Sequence, residues 1–446
     1  MESGTLLLNF FGEFMAVFRM NFIKMSRFNE HALLFLITGF LVLIPFGRLS
    51  EIPLLLMAIY GVFVLSGKGR QLIPREQLIL FSIIFLAFWI PILFSLYGSV
   101  NSERTFRVAL TFLRLYFSGI LVLYAFCFPG MADRVLKWCA FILVIWVGDG
   151  LFQAVWGYNL TGNPLGTIGG QVTGFFGNST HMGSFLGVLS ALLLVYSRLK
   201  WALVWQFLVF AATAAVVLMG GSRMGWLGFA FVVTGLSLWI LARGGRKVWP
   251  RFVLIIVCVS VVFSGAFVFS QAVSTRVTQS LFLFSKDREL ADMALSGRLT
   301  LWSTTIEVIK ANPLNGVGAR NLRDAYSSYA DPHDRFVDRA YHAHNIILDI
   351  ASETGIIGII GYIIAMICML RVWVRANSYE KERLLPYALA LFAVFFPLNT
   401  HYATYSAAWS TTYFWLISLF CAAAAKSGFA LPDGMTSHEA GETVRI

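Results

Sequence analysis

The chain has 446 residues and a formal net charge of +11, with 58% hydrophobic and only 13% charged residues. Soluble domains are typically about 45–50% apolar and about 25% charged, so this composition excludes a soluble enzyme, a disordered protein and a disulfide-stapled scaffold. The basic residues stand in small clusters between long apolar runs. That distribution orients a protein in a bilayer and argues against a nucleic-acid partner. The sequence therefore predicts an all-α protein that crosses a membrane many times.

The N-terminal segment, residues 6–22, is amphipathic and is followed by Lys24 and Arg27. This pattern predicts a helix that lies on the membrane surface and not an export signal. Twelve apolar runs follow, and each is a candidate for a membrane-spanning helix, which needs about 20 apolar residues. They lie near residues 32–47, 51–66, 77–97, 108–127, 138–156, 183–197, 201–220, 225–242, 252–270, 346–370, 385–399 and 407–425.

Lys and Arg are concentrated in alternate loops, which places both termini on the cytoplasmic side by the positive-inside rule. Residues 157–182 form a first outer segment that is rich in Gly, Asn and Thr and contains no Lys or Arg. The chain is expected to divide into four parts. These are a membrane bundle over residues 1–270, a large periplasmic loop over 271–344, three further spans over 345–425 and a cytoplasmic tail over 426–446.

The large loop is expected to be folded, because a structureless connection of this length would be unusual. Within it, residues 298–311 (RLTLWSTTIEVIKA) have the spacing of an amphipathic helix. The residues expected on its apolar face are Leu301, Trp302, Ile306 and Ile309. Asn312-Pro313 is expected to end this helix, and Gly316 and Gly318 to form a turn. We therefore expect a partly helical cap on the outer surface of the bundle.

The most distinctive motif is His344-Asn345, followed after nine residues by Gly355 and then Gly358. His344 falls where the long loop meets the tenth apolar run, and a neutral imidazole there can act as a general base near neutral pH. The two glycines would let the helix pack closely against a neighbour and hold His344 in place. A polar helix start with ordinary small-residue packing is the alternative that the spacing leaves open. By chemistry alone, His342 is a second candidate for the base.

Arginines supply the second group of candidate residues. Arg223 follows Gly220-Gly221-Ser222 at the start of the eighth apolar run, where free N–H groups of a helix start and a guanidinium suit phosphate oxygens. The long loop adds further arginines that suit a diphosphate or an acidic glycan, namely Arg298, Arg320, Arg323, Arg335 and Arg339. A snorkelling side chain for Arg223 and a solvated loop surface for the others are the alternatives.

Arg114 lies within the fourth apolar run and is costly there unless it is paired. Asp149 in the fifth run is the candidate partner; otherwise Arg114 faces the same cavity as the site. The histidines and nearby carboxylates complete no recognisable metal-ligand spacing. There is also no P-loop and no dinucleotide-binding fingerprint. We therefore expect neither a metal ion nor a cofactor.

These motifs resemble those of the O-antigen ligase and polymerase superfamily of bacterial envelope glycosyltransferases. The resemblance covers about residues 157–362 in motifs and the whole chain in topology. The matching residues are His344-Asn345 with Gly355 and Gly358, Arg223 with Leu227, Ser296-Gly297-Arg298 with Leu301-Trp302, residues 312–318 and, more weakly, Phe176-Gly177-Asn178.

The resemblance implies a C-type glycosyltransferase-like fold of about twelve transmembrane helices in the bacterial inner membrane, with a periplasmic active site. The donor would be a polysaccharide linked through a diphosphate to undecaprenol, and the acceptor a sugar hydroxyl of the lipid A–core. The transfer would be metal-independent and would invert the anomeric centre. Carried over onto this sequence, His344 is the base, since Asn345 must follow it. Arg223 would bind the diphosphate, with Arg298 as a weaker candidate and Arg320 and Arg323 competing for the same role.

Acceptor choice is not written in any of these motifs. An O-antigen polymerase and a protein O-oligosaccharyltransferase are therefore alternatives to the ligase. A secondary transporter is the competing class, and it would predict polar residues near the midplane, broken helices and repeated halves. Polar residues here concentrate at the outer face instead.

Overall fold

The computed structural model describes residues 26–167, 169–177, 181–244, 249–287, 290, 292, 294–337, 339–397, 399 and 403–424. The predicted surface helix over residues 6–22, Asn178 of the weaker motif and the tail over 426–446 lie outside the described residues. The described part is helical, apart from loops and two isolated β-bridges in the first outer segment. The all-α prediction is therefore confirmed.

The helices follow the apolar runs closely. In chain order they are α1 (Ser26–Leu43), α2 (Glu51–Ser66), α3 (Arg75–Phe94), α4 (Ser102–Ala125), α5 (Met131–Trp156), α6 (His181–Lys200), α7 (Leu203–Met219), α8 (Arg223–Gly244), α9 (Trp249–Phe269), α10 (Gln271–Leu281), α11 (Arg298–Ala311), α12 (Leu322–Ala325), α13 (Ile346–Arg375), α14 (Ser378–Phe395) and α15 (Ala407–Ala423). Short 3-10 helices occur at Ile44–Ser50, Lys68–Leu72, Gly174–Phe176, Phe282–Phe284 and Tyr326–Ser328. Each of the twelve predicted runs coincides with one of α1–α9 or α13–α15.

Length and composition support a polytopic membrane protein. Within the described ranges, seven helical stretches are long and apolar enough to cross a membrane, and one of them, Glu30–Ser66, covers most of α1 and all of α2. α7 and α15 are apolar but only 17 residues long. α9 is bent by 100° against the segment that contains α10, and the two together make an eighth candidate span. The count of twelve spans stays a prediction.

The loops expected on the outer side meet at one end of the bundle, which we call the site end. The Val100 amide, between α3 and α4, donates to the Val317 carbonyl oxygen of the long loop at 3.0 Å. The Val172 amide of the first outer segment donates to the carbonyl oxygen of Met219 at 3.0 Å. At the opposite end, Glu382 pairs with both Arg198 and Arg243.

The partner of Arg114 differs from the expectation. Its Nε lies 3.0 Å from Oε2 of Glu51, at the start of α2, and its Nη2 lies 3.2 Å from the second carboxylate oxygen. The proposed pairing with Asp149 is wrong, because α4 lies beside α2 while Asp149 turns toward the first outer segment and accepts the Leu160 amide at 2.8 Å. Arg114 is thus a structural ion pair.

The described residues of the segment 271–344, which we call the cap, contain a small apolar cluster of their own. The cluster consists of Leu301, Val308, Val317, Leu322, Ala325, Tyr326, Ala340 and Ala343. α11 has the predicted bounds, but its buried face is Leu301, Thr304, Thr305 and Val308. Ile306 is 40% exposed, so its predicted place on the apolar face is wrong. Two threonines take part in the buried face because their hydroxyls can bond within the helix, as Thr305 does to the Leu301 carbonyl oxygen at 2.7 Å.

Candidate functional site

His344 lies directly before α13, in a backbone conformation that L-residues seldom adopt. Its φ is +49°, in the left-handed region. Asn345 then caps the helix, because its side-chain oxygen accepts the amides of Ile347 and Leu348 at 3.0 and 3.1 Å. Strained backbone of this kind clusters at functional sites. The His-Asn pair is therefore a histidine held at a fixed angle by the helix cap that follows it.

Three segments hold the residue before His344. The indole Nε1 of Trp302, on α11, donates to the Ala343 carbonyl oxygen at 3.0 Å. The Ala343 amide donates to one carboxylate oxygen of buried Asp349 at 3.3 Å, and the other oxygen accepts the Thr404 amide at 2.7 Å. The cap, α13 and the segment before α15 are thus joined at this point. The position of the His344 backbone is set by contacts that are distant in sequence.

His342 contacts His344 directly. The His344 amide donates to Nδ1 of His342 at 3.2 Å, and the two ring centroids are 3.8 Å apart. Nδ1 must be unprotonated to accept this bond. Burial, and then the charges of Arg320, Arg298 and Arg323, lower the pKa of His342 to about 4. His342 is therefore a neutral side chain that supports the backbone of His344.

Gly355 marks a break in α13, where the helix meets the loop over residues 312–318. Its φ is +63°, and an added Cβ would lie 2.2 Å from the Leu314 carbonyl oxygen. Backbone hydrogen bonds join the two segments across the break, from Ile356 N to Pro313 O at 2.9 Å, from Val317 N to Ser352 O at 2.9 Å and from Gly318 N to Glu353 O at 3.0 Å. The loop therefore satisfies polar groups that the break releases. The close approach expected at Gly355 is present, and its partner is this loop.

Gly358 makes its close contact with a side chain of its own helix, whereas a contact with a neighbouring helix was expected. A Cβ there would lie 1.9 Å from the Thr354 hydroxyl oxygen, which is 2.9 Å from the Tyr405 hydroxyl. The close packing predicted for Gly358 occurs one turn later, where a Cβ on Gly361 would lie 1.9 Å from the Ala87 carbonyl oxygen of α3.

Arg223 begins α8 and reaches into the cap. Its guanidinium donates to the Ser296 hydroxyl at 2.6 Å, to the Ser280 hydroxyl at 3.3 Å and to the Ala294 carbonyl oxygen. These acceptors are all neutral, and the described residues contain no ion pair to Arg223. Close packing of α8 on α6 fixes its starting point, since a Cβ on Gly225 would lie 2.3 Å from the Gly183 carbonyl oxygen.

Arg276 and Arg298 lie near Arg223, because Arg223 bonds to Ser280, one turn after Arg276, and to Ser296, two residues before Arg298. We call these three residues the three-arginine group. Burial, and then the charges of Arg223 and Arg276, lower the pKa of Arg298 to about 10. A cluster of guanidinium groups favours an anion as a ligand. Sequence reasoning missed Arg276, which lies on α10. The only signal for it was one basic residue in a short amphipathic stretch of the long loop.

Arg320 and Arg323 lie in a second group that also contains carboxylates. The Arg320 amide donates to Oε2 of Glu353 at 2.8 Å. Arg104 pairs with Asp324 beside them. Burial and the nearby Arg320 and Arg104 lower the pKa of Arg323, while Asp324 and Glu353 oppose that shift. We call this the second arginine group, in which Asp324 offsets part of the positive charge.

Arg335, another arginine of the long loop, makes its contacts within the protein. Arg335 lies 3.6 Å from a carboxylate oxygen of Asp292 and above the ring of Phe336. Its guanidinium also lies where a Cβ on Gly297 would be. These contacts stabilise the turn before α11.

The fold and the site define a polytopic membrane protein with a histidine and two arginine groups at one end of the bundle. Residues 207–363, just over a third of the chain, match the family model described as O-antigen ligase. The match contains all of the histidines, arginines and glycines of the site from Arg223 to Gly358. Over this segment the match agrees with the resemblance to the O-antigen ligase and polymerase superfamily. A search of curated proteins finds no significant match.

This family indicates a membrane glycosyltransferase of the O-antigen ligase or polymerase type. Such an activity uses a lipid-linked glycan donor and an acceptor at the membrane. The matched segment runs from α7 through the cap into α13, so the helices before α7 lie outside it.

Proposed function

We propose that the chain transfers O-antigen polysaccharide from undecaprenyl diphosphate to the lipid A–core, on the periplasmic face of the bacterial inner membrane. One observation carries this proposal. The constrained His344 is joined to the helix that begins with Arg298, because Trp302 of that helix donates to the carbonyl oxygen of Ala343, directly before His344, at 3.0 Å. A base next to a cluster of positive charges suits attack by a hydroxyl on a sugar that leaves a diphosphate.

In this reaction the imidazole of His344 takes the proton of the acceptor hydroxyl as its oxygen attacks the anomeric carbon. The bond from that carbon to the diphosphate oxygen breaks, and undecaprenyl diphosphate leaves with the electron pair. Attack opposite the leaving group inverts the anomeric centre. The proton on His344 then passes to water.

The three-arginine group is the proposed diphosphate site. A diphosphate is already a good leaving group, so the protein mainly positions it and neutralises its charge. Arg223, Arg276 and Arg298 supply up to three positive charges without a metal ion. Arg223→Lys is expected to impair transfer severely, because lysine lacks the planar fork of donors that now bonds three neighbours. Wild-type transfer by this variant would make Arg223 an anchor of the cap.

The proposal is tested in a strain that lacks the gene, complemented with the wild type, with His344→Ala or with His333→Ala. His333 is an exposed histidine of the same loop and serves as the matched control. We expect bare core and polymer accumulating on undecaprenol for His344→Ala, and a normal lipopolysaccharide ladder for the other two. Core that carries a single repeat unit would instead indicate a polymerase. An unchanged ladder in the deletion strain would contradict both and favour protein glycosylation.

A further inference from the structure

Tyr341 is an exposed aromatic residue three positions before His344. Its side chain is 56% exposed, and the guanidinium carbon of Arg323 lies 5.0 Å from the centre of its ring. An arginine at this distance holds the ring by a cation–π interaction. One face of the ring is therefore supported by the protein, and the residue remains open to solvent.

Arg323 brings guanidinium N–H groups to this ring. Its Nε is buried and has no hydrogen-bond partner in the described part of the chain, so a ligand is expected to bond to the terminal Nη groups.

The pair lies close to the histidines but belongs to the second arginine group. Arg323 and Arg320 both lower the pKa of His342, whereas Arg223 and Arg276 act on Arg298. Arg298 of the three-arginine group lowers the pKa of His342 as well. Tyr341 lies three residues before His344 and contacts Arg323 of the second arginine group.

Asp324 already pairs with Arg104 in the second arginine group and offsets one of its positive charges. A ligand with many hydroxyl groups binds guanidinium groups through hydrogen bonds and needs no net charge. A sugar ring can place its C–H face on an aromatic side chain and its hydroxyl oxygens on guanidinium donors.

We propose that Tyr341 and Arg323 form the subsite for the acceptor sugar and present its hydroxyl to His344. The ligand class is a pyranose at the end of the acceptor glycan. This inference rests on the proposed function, and it divides the site into a donor side at the three-arginine group and an acceptor side at Tyr341.

The test uses the purified full-length protein in proteoliposomes, with undecaprenyl diphosphate-linked polysaccharide as donor and lipid A–core as acceptor, each varied in turn. Tyr341→Ala is expected to raise the acceptor KM roughly five- to tenfold, the loss of one aromatic contact. The donor KM should stay within about twofold of the wild-type value, because Tyr341 is assigned to the acceptor side. Tyr341→Phe keeps the ring and should restore the acceptor KM. Arg323→Gln should raise the acceptor KM like Tyr341→Ala.

Tyr97→Ala is the matched control, because Tyr97 is 87% exposed in another loop at the site end. If Tyr341→Ala unfolds, Tyr341→Leu provides the same comparison with a bulkier side chain. An unchanged acceptor KM, or an equal rise in the donor KM, would overturn the subsite. If the wild-type protein transfers nothing to lipid A–core but extends another glycan, the proposed function is contradicted and the subsite is not. Measuring the KM for that glycan in the same variants then tests Tyr341.

Discussion

The support that His342 gives to His344 can be tested by changing only the atom that accepts the backbone N–H. In His342→Asn, the side-chain oxygen is bonded to Cγ, as Nδ1 is in histidine, so it can accept the His344 amide. In His342→Gln, the oxygen is one bond further from the backbone and falls out of place. The present bond is 3.2 Å long and restrains a residue whose φ is +49°.

The expected loss follows from the cost of a buried N–H left without an acceptor, about 1–3 kcal/mol. If that cost appears in the barrier to transfer, kcat falls roughly five- to hundredfold in His342→Gln. His342→Asn should stay within about threefold of the wild type, because the bond is kept. Transfer by purified protein at saturating donor and acceptor measures kcat directly. Equal activities of the two variants would refute the argument that this hydrogen bond positions His344.

His342→Asn also tests how His342 changes the pH dependence of folding stability. Its pKa is lowered from 6.5 to about 4, so the unfolded chain binds a proton that the folded chain rejects between these values. Folding stability from this group is therefore lost as the pH falls from 6.5 toward 4. Thermal unfolding in detergent should show a smaller loss for His342→Asn over that range. An identical pH dependence in wild type and variant would contradict the lowered pKa of His342.

Three further predictions concern the support of the site. Gly355→Ala should lower the unfolding temperature and abolish transfer. The strained φ alone costs about 1–3 kcal/mol, and the new Cβ would lie 2.2 Å from a loop carbonyl oxygen. Gly148→Ala is the control, because nothing lies within 4 Å of its Cβ position, and it should behave as wild type in both assays. Asp349→Asn leaves one of two backbone N–H groups without an acceptor, so transfer should fall roughly tenfold or more in a kinetic assay at unchanged expression. Arg114→Met strands the Glu51 carboxylate and should lower the unfolding temperature, and Glu51→Gln in the same chain should recover part of that loss; no recovery would contradict the ion pair.

The helices could be predicted from the sequence because their signal is local. Long apolar runs predicted the positions of α1–α9 and α13–α15, and the spacing within residues 298–311 predicted α11 with its bounds. Asn312-Pro313 and the two following glycines predicted the turn after it. In each case the cause lies within the segment itself, in hydrophobic spacing or in backbone preference.

The features that the sequence did not reveal depend on which segments meet. The partner of Arg114 follows from α2 lying beside α4, and no spacing along the chain encodes that. The break at Gly355 is stabilised by residues 312–318, about forty positions earlier in the chain. Arg276 joins the site only because α10 folds back from α9 at a sharp bend.

Ile306 shows the limit of a hydrophobic pattern within a helix. The pattern grouped this residue with three other apolar residues on one face of α11, but the buried face includes Thr304 and Thr305 and not Ile306. The neighbours of the helix determine which face is buried, and these are the loop over residues 312–318 and α13. At a membrane surface, an apolar side chain can lie outside the protein interior and contact lipid instead of water.

The central claim is that His344 is the base of a glycosyl transfer beside an arginine site for diphosphate. It is tested most directly by transfer in proteoliposomes with purified wild type, His344→Ala and His333→Ala, while binding of the lipid-linked donor is measured on the same samples. The account predicts that His344→Ala binds the donor with unchanged affinity and transfers no detectable glycan, and that His333→Ala does both as the wild type does. Transfer by His344→Ala at a rate near that of the wild type would contradict it.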